Sequence, residues 1–170
     1  AEPPEPTATE PAATAMLRGR VLDASARPVP GARLVSAAEG APRDRLLFAS
    51  GPDGRFEVEV PAERALVESA DEGELATILA GVFEPEAEVE PVVVVAPAVP
   101  LAGIVRDPGG RPLEGARVTL RMPEGLELRF AFPLDASRER SFQARTGPDG
   151  AFDLGRVPAP AGATLATECP

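Results

Sequence analysis

Apolar and charged residues alternate along Phe56–Val60, with Phe56, Val58 and Val60 on one side of an extended chain and Glu57 and Glu59 on the other. That period of two predicts a strand with one buried and one wet face. The strand leaves a Pro52-Asp53-Gly54 turn, in which the proline presets φ and the Asp-Gly pair suits a tight reversal. Leu17–Leu22 has the content of a short strand, and Asp23–Gly31 is dense in turn formers before a strand resumes at Ala32. Between Arg64 and Val82 the Ala, Leu and Glu content also suits a helix. Asp71-Glu72-Gly73 divides this span, however, and predicts two strands, Ala65–Ala70 and Glu74–Val82. Glu84, Glu86, Glu88 and Glu90 alternate strictly, and Val92–Val95 reads as a strand buried on both faces or covered at an edge. Further on, Leu126, Leu128, Phe130 and Phe132 share one parity. They predict two lengthened strands whose polar connection, Asp135–Arg140, protrudes.

These elements occur twice. LRGRVLDASARPVPGARL from Leu17 returns as LAGIVRDPGGRPLEGARV from Leu101, with nine identities over 18 positions. They include Gly19/Gly103, Asp23/Asp107, Pro28/Pro112 and Gly31/Gly115, all 84 residues apart. SGPDGRF from Ser50 returns as TGPDGAF from Thr146 at a spacing of 96, so the second copy carries 12 extra residues between its two signatures. A duplication of this length predicts two similar domains of roughly 80 residues each. Residues 1–15 form an extended Pro/Glu/Thr/Ala tether, residues 16–97 the first domain and residues 98–170 the second. After its GPDG turn the second copy has about two strands' worth less sequence than the first. The expectation is that the polypeptide continues past Pro170 or that this domain keeps an open sheet edge, a place for dimerisation or strand capture.

Composition narrows the chemistry. The net charge of −10 disfavours nucleic acid and anionic membranes as partners. All 17 basic residues are Arg; the chain holds no Lys, His or Asn. Imidazole bases, histidine metal ligands and lysine Schiff bases are thereby excluded. The one thiol, Cys169, has no partner for an internal disulfide. The most apolar run, Val92–Val105, is cut by Pro97 and Pro100 and is too short to cross a bilayer as a helix. The Ala, Pro, Arg and Gly bias suggests a bacterial source, and the tether resembles the mature start of an exported protein.

Candidate sites reduce to a few carboxylates and arginines. Asp53 and Asp149 in Gly-rich loops invite a calcium reading, but each loop offers one carboxylate where such an ion needs six to eight oxygens. Both are read as turn residues. The Glu84–Glu90 ladder is read as a solvated face that keeps an edge from pairing, against the alternative of an acidic surface for a cation or basic partner. Arg138 and Arg140 at the loop tip are read as part of a solvated loop, against the alternative of a grip for an acidic partner. No nucleophile, base or metal constellation emerges, so no catalytic, cofactor-binding or metal residues are assigned and no enzyme activity is expected.

The pattern G-x-V-x-D-x-x-x-R-P-x-x-G-A, carried by Gly19–Ala32 and Gly103–Ala116 and followed by the DG-x-F turns at Asp53 and Asp149, resembles the carboxypeptidase regulatory-like domain. That family belongs to the transthyretin-like group of seven-stranded Greek-key sandwiches. The resemblance implies an all-β chain of two tandem antiparallel β-sandwiches, the second lacking its last strands. It also implies a non-catalytic, often repeated accessory module of secreted, periplasmic or cell-surface proteins, and carries over no active-site residues. The expected role is a structural spacer and interaction module. Alternatives are a protein- or glycan-binding module using the long loop of the second domain, and a regulatory appendage of a peptidase. The isopeptide crosslink of related adhesin repeats is impossible without Lys, and the absence of Trp and Tyr weakens sugar stacking.

Overall fold

The computed structural model describes residues 13–39, 41–131 and 134–169. Almost all of the expected tether lies outside them, and its last two residues, Thr14 and Ala15, already belong to a strand. The chain is all β. The first copy contributes β1 (Thr14–Asp23), β2 (Arg33–Ala38), β3 (Ala41–Ala49), β4 (Arg55–Pro61), β5 (Ala65–Ser69) and β6 (Leu75–Phe83). β7 (Val92–Ile104) follows, and then β8 (Arg117–Arg121), β9 (Ser137–Glu139), β10 (Phe142–Arg145), β11 (Ala151–Pro158) and β12 (Thr164–Glu168). The span expected as strand–turn–strand is β5 and β6, so the helical alternative is ruled out.

In the first copy the order is β3-β2-β5-β6-β7-β1-β4. Neighbours are antiparallel except β1 and β7, which run parallel with Arg20 opposite Val92 and Asp23 opposite Val95. Leu17 and Val21 of β1, Phe56 and Val60 of β4 and Val93 and Val95 of β7 share one buried cluster with Leu34 of β2 and Val67 of β5. Residues from both ends of the strand order meet, so the sheet folds over on itself as a sandwich. Burial removes all four valines Val92–Val95 from solvent, as their unbroken apolar run requires.

The second copy repeats the pairing. β2 lies between β3 and β5, and β8 lies between β10 and β12. Gly19 pairs with Phe56 on β1 and β4, and Gly103 pairs with Phe152 on β7 and β11, at the same register. The expected boundary at residues 97 and 98 falls inside β7. That strand serves the first copy through Val92–Pro97 and the second through Ala98–Ile104. Pro97 and Pro100, expected to interrupt this run, are both accommodated within it. An extended strand suits the proline φ, and the missing N–H matters only where a ladder bond is needed.

Three expectations are corrected. Leu126–Phe130 is not a strand extension: residues Glu127–Arg129 form a 3-10 turn, Leu126 and Phe130 are buried, and Leu128 is 89% exposed. Phe132 lies outside the described residues. Glu84–Glu90 is a loop rather than an alternating strand, so its carboxylates form no ladder. Asp135–Arg140 does not protrude, because Ser137–Glu139 is β9, paired antiparallel with Leu79–Gly81 of β6.

Candidate functional site

Each signature pair proves to be one contact. The main-chain N–H of Val21 donates to the carbonyl of Gly54, and that of Val105 to the carbonyl of Gly150, so the GPDG turn is seated on the preceding D-x-x-x-R-P loop in both copies. Asp53 Oδ1 accepts from the N–H of Arg55 and Asp149 Oδ1 from that of Ala151. Gly54 and Gly150 have φ of 75° and 73°, and a Cβ there would lie 2.9 and 2.5 Å from the carbonyl oxygens of Val21 and Val105. Both the left-handed backbone and the close approach demand glycine. Among the described residues no group of three or more His, Cys, Asp or Glu is placed to hold a metal ion.

The D-x-x-x-R-P loops are closed by their aspartates. Asp23 Oδ1 accepts from the N–H groups of Ser25 and Arg27. Asp107 Oδ1 accepts from the N–H of Arg111, and its Oδ2 from Arg111 Nε. The main-chain N–H of Arg111 is the foremost reason that the Asp107 carboxyl is held below its usual range; the Arg111 side chain and the N–H of Gly109 add to it. Ser50 and Thr146 are buried hydroxyls with one task. Ser50 Oγ donates to the carbonyl of Val29 and accepts from the N–H of Ala32. Thr146 Oγ1 likewise donates to the carbonyl of Leu113 and accepts from the N–H of Ala116.

The copies differ most in the insertion, which reaches back across the junction onto the first copy. Leu126 and Phe130 enter a buried cluster with Leu22, Ile78, Leu79, Val92 and Val94. Ser137 Oγ donates to the carbonyl of Val92, and Arg129 to that of Ala24. Arg138 approaches Glu39 at 3.4 Å, while Arg140 lies 2.9 Å from Glu68 without hydrogen-bond alignment. Exposed ion pairs of this kind contribute about 0–1 kcal/mol each. Burying a Leu or Phe contributes about 1.5–3 kcal/mol, so the apolar pair and the β9 ladder carry the contact. The two arginines considered as grips for an outside partner are thus engaged within the chain.

The acidic loop is also engaged. Glu90 takes both Arg20 and Arg55, and Glu84 lies 3.3 Å from Arg64. A cleft of about 560 Å³ lies at the junction, between Ile78 and Leu79 of the first copy and Leu120, Arg121, Met122 and Leu128 of the second. It is open and mixed in character, with Arg121, Glu127, Glu139 and Arg140 at its wall.

Fold and junction together define an all-β protein, with one large sheet, a second three-stranded sheet and a strand, β7, common to both copies of the repeat. No family model matches the chain, and no curated protein matches it. Among solved structures it is similar to a DUF3823 family protein from Parabacteroides merdae, at 13% identity and a TM-score of 0.42, over 92% of this chain and 81% of that one. It is also similar to a streptococcal ancillary pilin, at 11% identity and a TM-score of 0.35. That match spans 91% of this chain and 58% of the pilin chain. No helix among the described residues is long and apolar enough to cross a membrane.

Proposed function

We propose that the chain is a non-catalytic spacer and interaction module, built from two domains of the carboxypeptidase regulatory-like type, in a secreted or envelope-attached bacterial protein. The observation that carries this reading is the junction. β7 runs unbroken from one copy into the other, and the insertion clasps the first copy through β9, Leu126 and Phe130. A flexible linker would let the copies swing, whereas a shared strand with a second contact beside it resists bending. The duplicated signatures support the family type. The placement outside the cytoplasm rests on that resemblance and on the composition.

Replacing Met122–Ser141 by a short Gly/Ser turn removes the clasp and leaves β7 intact. Small-angle scattering of this variant should then show a larger radius of gyration and a broader distance distribution, with no strand content lost beyond β9 and its ladder. An unchanged distribution would mean that the clasp does not set the relative placement of the copies, and the rigid-spacer reading would fall. Secretion is checked separately, by fractionating source cells with an antibody to the chain.

A further inference from the structure

We infer that the junction holds a binding site for a small zwitterion, an α-amino acid with an apolar side chain. A second cleft, of about 340 Å³, opens where the β5–β6 connection of the first copy meets β10 and β11 of the second. That size is at the low end for small-molecule sites, which suits one compact ligand and not a polymer. The copies line it with opposite charges. The first supplies the carboxylates of Glu68 and Asp71, the second the guanidinium groups of Arg140 and Arg156. A lone anion is opposed by the carboxylates and a lone cation by the arginines, whereas a dipolar ligand finds a partner on both walls. Arg140 lies 2.9 Å from Glu68, so the opposite charges of the site stand side by side. The ammonium and carboxylate of an α-amino acid are adjacent in the same way.

The groups at the cleft keep bonding capacity. Glu68 Oε1 is withdrawn from solvent and accepts no aligned hydrogen bond, even from Arg140. An ammonium is the donor that such a carboxylate lacks. The Glu68 side chain as a whole keeps 22% of its surface exposed and lines the cleft, so a ligand there can reach it. Asp71 is drawn off by Arg45 at 3.0 Å, which leaves Glu68 as the partner of the ammonium. Arg156 donates through one terminal nitrogen to the carbonyl of Gly73. That bond anchors the guanidinium at the wall and leaves further N–H groups for a carboxylate. Ser69 Oγ and Thr77 Oγ1 are 2.8 Å apart, and Thr77 Oγ1 also accepts from the N–H of Ser69. One hydroxyl proton serves that contact, so the other is spare for the ligand. The rest of the wall is apolar, with Leu75, Ala76 and Phe142 half-buried, and receives the side chain. One half-buried phenylalanine, in a chain without Trp or Tyr, does not offer the stacking surface of a sugar site.

The full 170-residue chain is titrated with L-leucine and followed by amide chemical shifts. One-to-one saturation at about millimolar ligand is expected, as a molecule this small allows. The shifts should gather at Glu68–Thr77, Arg140–Phe142 and Arg156. Leucinamide lacks the carboxylate and N-acetyl-leucine the ammonium. Each should bind about tenfold more weakly or worse, because it leaves the charge of one wall without its partner. Glu68→Gln and Arg156→Gln alter a partly exposed and an exposed side chain, and each should weaken leucine binding by a similar factor. Circular dichroism checks that both variants keep their strands; should one fail to fold, the two analogues test the same contacts on the unaltered chain. Absence of saturation overturns the proposal. So do shifts confined to other segments, an analogue that binds as tightly as leucine, or binding indifferent to either substitution in a folded variant.

Discussion

Gly19 and Gly103 occupy matched places and should respond differently to alanine. Neither has a left-handed φ, so the backbone conformation itself tolerates a side chain. A Cβ at Gly19 would lie 2.3 Å from Cζ of Phe56 and 2.7 Å from the carbonyl oxygen of Pro91. Comfortable carbon contacts lie near 3.5–4.0 Å, so the ring would have to move by about 1 Å or more. Phe56 is 5% exposed and packs against Phe48 at a ring separation of 5.3 Å, and Pro91 presents backbone, so neither gives way easily. Overpacking of this kind costs about 1–3 kcal/mol, of which the reduced freedom of the unfolded chain returns about 0.4–1 kcal/mol. Gly19→Ala should therefore destabilise the first copy by about 2 kcal/mol. At Gly103 the three nearest atoms outside the chain neighbours all belong to the ring of Phe152, at 2.9, 3.0 and 3.9 Å. That ring is half-buried and can swing, so Gly103→Ala should fall within about 1 kcal/mol of neutral. Urea unfolding gives the total change, and amide exchange on β4 and β11 assigns it to each copy. A loss at Gly103→Ala equal to or larger than that at Gly19→Ala would refute the reasoning from the buried Phe56 ring and the Pro91 backbone.

Ala26 holds φ of 61°, while Gly110 at the matched place has 83°. Ala26→Gly should raise the urea midpoint by a gain of up to about 1 kcal/mol and Gly110→Ala should lower it by a similar amount. Ser50→Ala and Thr146→Val each strip a buried N–H and carbonyl of their shared hydroxyl and should cost about 1–3 kcal/mol, read by the same denaturation. The main-chain N–H of Arg111 holds the Asp107 carboxyl below the usual carboxylate range, so its contribution to stability is present at neutral pH and is lost as pH falls through the depressed folded value. A carbon-detected titration should place its midpoint below that of an unhindered aspartate in a short peptide, and Asp107→Asn should flatten that part of the acid-unfolding profile; a midpoint at or above the peptide's would contradict the loop geometry.

The duplication, the β class and the turns were legible in the sequence because local chemistry sets them. Asp53-Gly54 and Asp149-Gly150 form their turns whatever surrounds them, and the parity of Phe56, Val58 and Val60 survives in β4, where Phe56 and Val60 are buried and Val58 is half-buried. Long-range placement was not. The parity of Leu126–Phe132 suits a strand, yet the chain turns there in 3-10 form, and Leu126 and Phe130 are buried against the first copy, a surface that the local sequence does not contain. The arginines of Asp135–Arg140 read as a solvated tip because nothing local reveals Glu39 and Glu68, residues that are distant in sequence and adjacent only once β9 has joined β6. Pro97 and Pro100 read as breaks for the same reason: a proline ends a strand where it removes a needed ladder bond, and the sequence does not say on which side the partner lies. Local residues thus determined which stretches extend and where they reverse. Tertiary packing alone decided that one strand serves both copies and that the insertion folds back onto the first, because those choices depend on which apolar surfaces meet.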